Sequence, residues 1–160
     1  MPKYRYQQAL WLLWSALIIG VDQYTKWLAL RFLSYATPGP VIPSLNFTLS
    51  YNTGSAFGFL NGAGWSATLA LSLVSVAMVL YLLHWLLSLP AGASAQAFAL
   101  SCIIGGAIGN LWDRLVRGFV VDFIQVYYQQ WSWPNFNVAD SAICIGVVVL
   151  LFTLLRTARA

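Results

Sequence analysis

Four aspartates, Asp22, Asp113, Asp122 and Asp140, are the only acidic residues of this 160-residue chain, which has no glutamate. Asp122 lies between Val120, Val121, Phe123 and Ile124, and Asp140 follows Phe136-Asn137-Val138-Ala139. If the chain folds back between them, the two carboxylates can meet. In a poorly hydrated site they cannot both ionise, so one holds a proton near working pH. The ionised member can then take a proton from water, and the protonated member can donate to a carbonyl oxygen. That is the equipment for cutting an amide without a covalent intermediate. Asn110 and Asn137 can hold a substrate backbone, and Arg114 can supply positive charge. A plainer reading of the same residues stands beside this one: Asp140 caps a helix, and Asp122 pairs with Arg114 or Arg117. Asp22 and Lys26, four residues apart on one helical face, read as a buried structural pair. Asp113 reads as the partner of an arginine at a helix end.

Other chemistries find no support. There is no Gly-x-Ser-x-Gly elbow and no phosphate-binding loop. His84 is the single histidine, and Cys102 and Cys144 lie inside apolar runs, so no zinc site assembles from Cys and His. Neither metal nor cofactor is expected. The net charge of +4 comes without a basic cluster, which argues against nucleic acid and fits contact with anionic lipid head groups.

The elements that must position these residues follow from composition. The chain is 60% hydrophobic and only 8% charged, where a soluble domain carries about 25% charged residues. A soluble fold of this size could not hide so much apolar surface, so the class is an integral membrane protein. A helical span needs about 20 mostly apolar residues. Four such segments are present, at about 9–30, 66–87, 95–114 and 138–157, in a single domain over 1–160. In the third, Gly105-x-x-x-Gly109 offers a face for close helix packing.

Two stretches, about 31–65 and 115–137, do not span. Pro38, Gly39, Pro40 and Pro43 break any helix in the first. There Leu45, Phe47, Leu49 and Tyr51 then alternate with polar residues in the pattern of a half-buried strand. In the second, Val120, Val121, Ile124 and Val126 favour a strand paired with the first, although Val120, Ile124, Tyr127 and Trp131 would also share one face of a helix. Tyr127, Tyr128, Trp131 and Trp133 suit head-group level. Four spans place both termini on one side. Lys3, Arg5, Arg156 and Arg159 then face Lys26, Arg31, Arg114 and Arg117 across the membrane, a tie under the positive-inside rule.

The segments Asp22-Gln23-Tyr24-Thr25-Lys26, Asn52-Thr53-Gly54-Ser55-Ala56-Phe57, Gly105-Gly106-Ala107-Ile108-Gly109-Asn110-Leu111-Trp112-Asp113-Arg114, Val120-Val121-Asp122-Phe123 and Phe136-Asn137-Val138-Ala139-Asp140 resemble, in order, those of the bacterial lipoprotein signal peptidases, or signal peptidase II. The resemblance implies an all-α membrane fold of four transmembrane helices with a small periplasmic β-cradle. It implies an aspartyl endopeptidase of the inner membrane, with cytoplasmic termini and a periplasmic active site. Its substrate would be a lipidated prolipoprotein, cut just before the diacylglyceryl-modified Cys. Asp122 and Asp140 would be the catalytic dyad. Asn52, Gly106, Asn110, Arg114 and Asn137 would line the substrate site, which is also that of the antibiotic globomycin, while Asp22 and Lys26 would support the fold. A monomer working among membrane lipids is expected, and the segment near Phe57 and Phe59 would close over the site.

Two rival readings remain at this level. Intramembrane Asp and Arg also suit a small transporter or channel, but such a path needs polar groups at several depths and these gather at one face. A structural subunit held by the Gly105/Gly109 face leaves the clustered Asp and Asn residues unexplained.

Overall fold

The computed structural model describes residues 4–54 and 64–157. Phe57 and Phe59 lie outside the described residues, as do Ser55 and Ala56. The order of elements is α1 (Tyr4–Phe32), β1 (Gly39–Ile42), β2 (Leu45–Asn52), α2 (Gly64–Ser88), α3 (Ser94–Arg117), β3 (Val120–Tyr128), β4 (Trp131–Ser132) and α4 (Val138–Thr157). Three helical stretches, Thr68–Ser88, Ser94–Arg117 and Val138–Arg156, are long and apolar enough to cross a membrane. Helix α1 is longer than any of them, but Asp22, Lys26 and Arg31 dilute its apolar character.

Helix α3 is the centre of the bundle. Its residues Leu100, Ile103 and Ile104 pack on Leu82 and Leu86 of α2 and on Leu89 just beyond it. On its other sides glycines let neighbouring backbones approach. A Cβ at Gly105 would meet Ile18 and the Ser15 carbonyl of α1 at 3.0 Å, and one at Gly106 would collide with the Ala139 carbonyl oxygen of α4. From α4, a Cβ at Gly146 would come within 2.6 Å of the Ala99 carbonyl of α3. Small residues are what such close crossings require. Large side chains on α2 and α4, among them Leu73, Leu80, Val148 and Phe152, remain exposed, as lipid-facing surfaces do.

Helix α3 ends at Gly118, whose left-handed φ of 79° lets its N–H bond the Arg114 carbonyl. The chain then enters β3 directly, placing Asp122 four residues beyond the turn. The sheet is antiparallel with order β1-β2-β3-β4. The β-branched residues of 120–126 have resolved the open choice between strand and helix in favour of a strand paired with β2. Pro40 is tolerated in β1 because that strand is at the edge. Val121, Phe123 and Leu49 pack on Ala29, fixing the sheet to the end of α1.

The alternation in β2 does not sort apolar from polar side chains by burial. Phe47 and Tyr51 are exposed while Thr48 is buried. The cause is a bulge: Phe47 pairs with Ile124, yet Ser50, not Leu49, pairs with Asp122. One extra residue in β2 reverses which face its later side chains occupy.

Candidate active site

The bulge decides what meets Asp122. Directly opposed residues of an antiparallel pair share a face, so the register places Ser50 and Asn52 on the face of Asp122 and Val120. A regular strand would have placed Leu49 and Tyr51 there. Asn52 donates from Nδ2 to Asp122 Oδ2 at 3.1 Å. On the other side Asn137 Nδ2 donates to Asp122 Oδ1 at 2.7 Å. Asp122 is 2% exposed.

Asp140 stands in the first turn of α4 and is half-buried. Asn137 and Asp140 make a reciprocal cap: the Asp140 N–H donates to Asn137 Oδ1 at 2.9 Å, and the Asn137 N–H donates to Asp140 Oδ2 at 3.2 Å. This is the capping-box arrangement, which satisfies donors at a helix start. The Asp140 Oδ1 accepts from Asn110 Nδ2 at 2.8 Å. One side chain, Asn137, thus touches both aspartates, and the chain does fold back to bring them together. The plainer reading is half right. Asp140 does take part in a cap, but Asp122 pairs with neither arginine among the described residues; Arg117 binds Asp113 instead.

Electrostatics favours a proton on Asp122. Burial pushes the Asp122 carboxyl up to about 7, and the negative charge of Asp140 acts in the same direction, against the hydrogen bonds from Asn52 and Asn137. The Arg114 guanidinium is within electrostatic reach of Asp140 and Asp122, and among the described residues it forms no ion pair.

Beneath this pair lies a second charged cluster. Lys26 is fully buried, with its Nζ 2.8 Å from Asp22 Oδ2, 3.0 Å from Asp113 Oδ2 and 3.0 Å from Asn110 Oδ1. The Asp22–Lys26 pair expected from the spacing is present. Asp113 is more than an arginine partner at a helix end. It is fully buried, binds Lys26 as well as Arg117, and accepts the Val121 N–H at 3.1 Å. Gln23 completes the cluster, donating to Asp22, to Asp113 and to the Gly109 carbonyl, and accepting from Arg117. Sequence reasoning missed Gln23 and the reach of Asp113. The one signal available was the four-residue spacing of Asp113 and Arg117 on a single helix face; no spacing tied Gln23 to Asp113.

The remaining expected substrate contacts lie as follows. Gly106 is buried against Ala139 and Ile143 of α4. Asn137 is fully buried, while Asn110 is 7% exposed. Asn52 is half-buried beside Gly54, whose N–H it accepts at 3.1 Å.

The family model described as signal peptidase (SPase) II matches residues 14–156. This chain belongs to the signal peptidase II family. The lipoprotein signal peptidase of Acinetobacter baylyi is 48% identical over 143 residues, 89% of this chain and 79% of that protein. That of Coxiella burnetii is 43% identical over 147 residues, 92% of this chain and 90% of its own length. A bacterial membrane enzyme solved by the in meso method at 2.3 Å is similar in fold, with a TM-score of 0.84 and 28% identity. That match covers 94% of this chain and 90% of the solved one. Membership in signal peptidase II makes the protein an aspartic peptidase, and the transporter and subunit readings fall away.

Proposed function

We propose that the protein is a membrane endopeptidase that removes the signal peptide from diacylglyceryl-modified prolipoproteins, cutting just before the lipidated Cys, with Asp122 and Asp140 as its catalytic dyad. The observation that carries this reading is the meeting of the two aspartates on one side chain: Asn137 donates to Asp122 Oδ1 at 2.7 Å and forms the reciprocal cap with Asp140. The Asp122 carboxyl, buried and pushed up to about 7, is the member assigned the proton.

Asp140 takes a proton from water as the water oxygen attacks the scissile carbonyl, and Asp122 gives its proton to the carbonyl oxygen. Collapse of the tetrahedral intermediate breaks the C–N bond. The proton on Asp140 goes to the leaving amine, and Asp122 recovers its own from the intermediate. Arg114 offsets the negative charge of the pair, and Asn52 faces the substrate. Asn110 and Asn137 orient the carboxylates, since their amide N–H groups already point at Asp140 and Asp122. The absence of a side chain at Gly106 lets α4 lie close enough for Asp140 to reach the site. The lipid chains of the substrate stay in the bilayer between helices, and their binding positions the peptide bond.

In this reading α1 is a fourth span and the sheet sits outside the inner membrane, on the periplasmic side. The enzyme is a monomer that needs no cofactor and takes no nucleic acid. The test is cleavage of a diacylglyceryl prolipoprotein by the purified protein in detergent, beside Asp122→Asn and Asp140→Asn and with a metal chelator in one reaction. Cleavage before the lipidated Cys, abolished in both variants and indifferent to chelator, is the expected result. An intact substrate with well-folded wild-type protein refutes the reading.

A further inference from the structure

Each aspartate of the dyad is preceded by a residue whose backbone N–H is held by a different buried aspartate. The Ala139 N–H, just before Asp140, donates to Asp22 Oδ1 at 2.9 Å. The Val121 N–H, just before Asp122, donates to Asp113 Oδ2 at 3.1 Å. Asp22 belongs to α1 and Asp113 to α3, and the Lys26 ammonium joins them, at 2.8 Å and 3.0 Å. The third contact of that ammonium is Asn110 Oδ1, and the other end of the same amide donates to Asp140.

An ammonium has three donors and no acceptor, so it dictates polarity. With Lys26 and Asn137 Nδ2 both donating to Asn110 Oδ1, the Asn110 NH₂ must face Asp140. The cluster is also balanced within itself: Asp22 and Asp113 against Lys26 and Arg117. A buried ion pair is weak as a source of stability, because desolvation consumes most of the attraction. Its better-attested use is to fix one geometry.

We propose that Lys26 is a positioning residue for the reaction: through Asp22 and Asp113 it sets where α4 and β3 begin, and hence the spacing of Asp140 and Asp122. The proposal rests on the dyad reading above and extends it, since Lys26 touches neither substrate nor the reacting atoms.

Asn and Ala at position 22 or 113 remove the same charge, but only Asn keeps an oxygen for the backbone N–H. With the lipidated prolipoprotein as substrate, kcat per folded molecule is expected to be at least about tenfold higher for Asp22→Asn than for Asp22→Ala. The same ratio is expected for Asp113→Asn over Asp113→Ala, with KM held within about twofold. A misplacement near 1 Å costs about 100-fold in rate. Lys26→Met in the Asp22→Asn background keeps the cluster neutral and is expected to lose about 100-fold in kcat while remaining folded by thermal unfolding. Equal kcat for Asn and Ala variants, or a fully active Lys26→Met/Asp22→Asn protein, overturns the proposal. The two comparisons are independent, so if one set fails to fold the other decides. Activity in Asp122→Asn or Asp140→Asn would instead overturn the dyad reading itself, which these variants distinguish.

Discussion

Asn137 donates to the Asp122 carboxylate at 2.7 Å while accepting the backbone N–H of Asp140 at 2.9 Å. One amide therefore starts α4 and supports the ionised form of Asp122. Asn137→Ala removes both. The lost cap is expected to cost about 1 kcal/mol of stability. With one donor fewer, the Asp122 carboxylate binds its proton more tightly, so the alkaline limb of the rate profile should move to higher pH. A pH series of kcat on Asn137→Ala beside wild type reads this; a shift to lower pH contradicts the arrangement.

The Asp122 carboxyl is raised from 3.8 to about 7, which ties stability to pH with a definite sign. Between those values the folded protein holds a proton that the unfolded chain has released. The contribution is fully present below about 4 and is lost as pH rises through about 7. Asp122→Asn cannot ionise, so its thermal unfolding should match or exceed wild type at pH 8, with the advantage shrinking toward pH 4. At about 1.4 kcal/mol for each tenfold change in proton affinity, the swing is on the order of a few kcal/mol. Unfolding curves at the two pH values measure it, and an advantage greatest at pH 4 would reverse the assigned sign. Activity should show the same ionisation as an alkaline limb near 7 in wild type.

The bulge in β2 is a third point of control. Deleting Thr48 removes the extra residue, so β2 pairs regularly while Ser50 stays opposite Asp122 and Asn52 opposite Val120. The cluster in which Thr48 and Asn46 donate to Gln125 loses one donor. The expected outcome is a folded protein that keeps most of its cleavage. Asn52→Ala, which removes a donor to Asp122 without changing register, should lose more. Side-by-side rates settle the order.

Two glycines separate helix packing from chemistry. A methyl at Gly106 meets the carbonyl of Ala139, the residue before Asp140, and one at Gly146 meets Ala99 and Ile103. Overpacking of this kind costs about 1–3 kcal/mol, so Ala at either position should lower the unfolding temperature comparably. Only Gly106→Ala displaces the start of α4, so it alone should lower kcat per folded molecule. Equal activity losses in the two variants would show that the crossing of α3 and α4 moves as one body.

The sequence disclosed much of this. Apolar runs and proline clusters mark the helices and the breaks between them, because desolvation and backbone geometry act locally. Asp122, Asp140 and the Asp22–Lys26 pair stand out because a chain with so few charges has few reasons to keep them. The bulge was illegible: the alternation of Leu45 to Tyr51 is regular in sequence, and only the partner strand reveals the extra residue. The same holds for Asp113, whose bonds to Lys26 and to the Val121 N–H join elements that sequence spacing does not relate. The glycine face of α3 was legible as a packing surface, but that Gly106 lies against the Ala139 carbonyl at the start of α4 was not.

The distribution of charge gives a last expectation, about sidedness. Counting cations alone gave a tie, but all four aspartates lie at the end of the bundle that holds Lys26, Arg31, Arg114 and Arg117. There the ion pairs are formed: Lys26 is fully buried between Asp22 and Asp113, and Arg117 binds Asp113. The first five and last five residues of the sequence contain Lys3, Arg5, Arg156 and Arg159 with no acidic residue among them, so the net charge of +4 belongs to the two ends of the sequence. Uncompensated cations favour the cytoplasmic face, where anionic lipid draws them at about 1 kcal/mol each. Arg31, at the active-site end, forms no ion pair among the described residues and lies 5.5 Å from the Trp27 ring. A green fluorescent protein fused after Ala160 should therefore fluoresce in cells, and a phosphatase fused at the same point should stay inactive. The reverse pair of results would put the dyad in the cytoplasm and out of reach of an exported prolipoprotein.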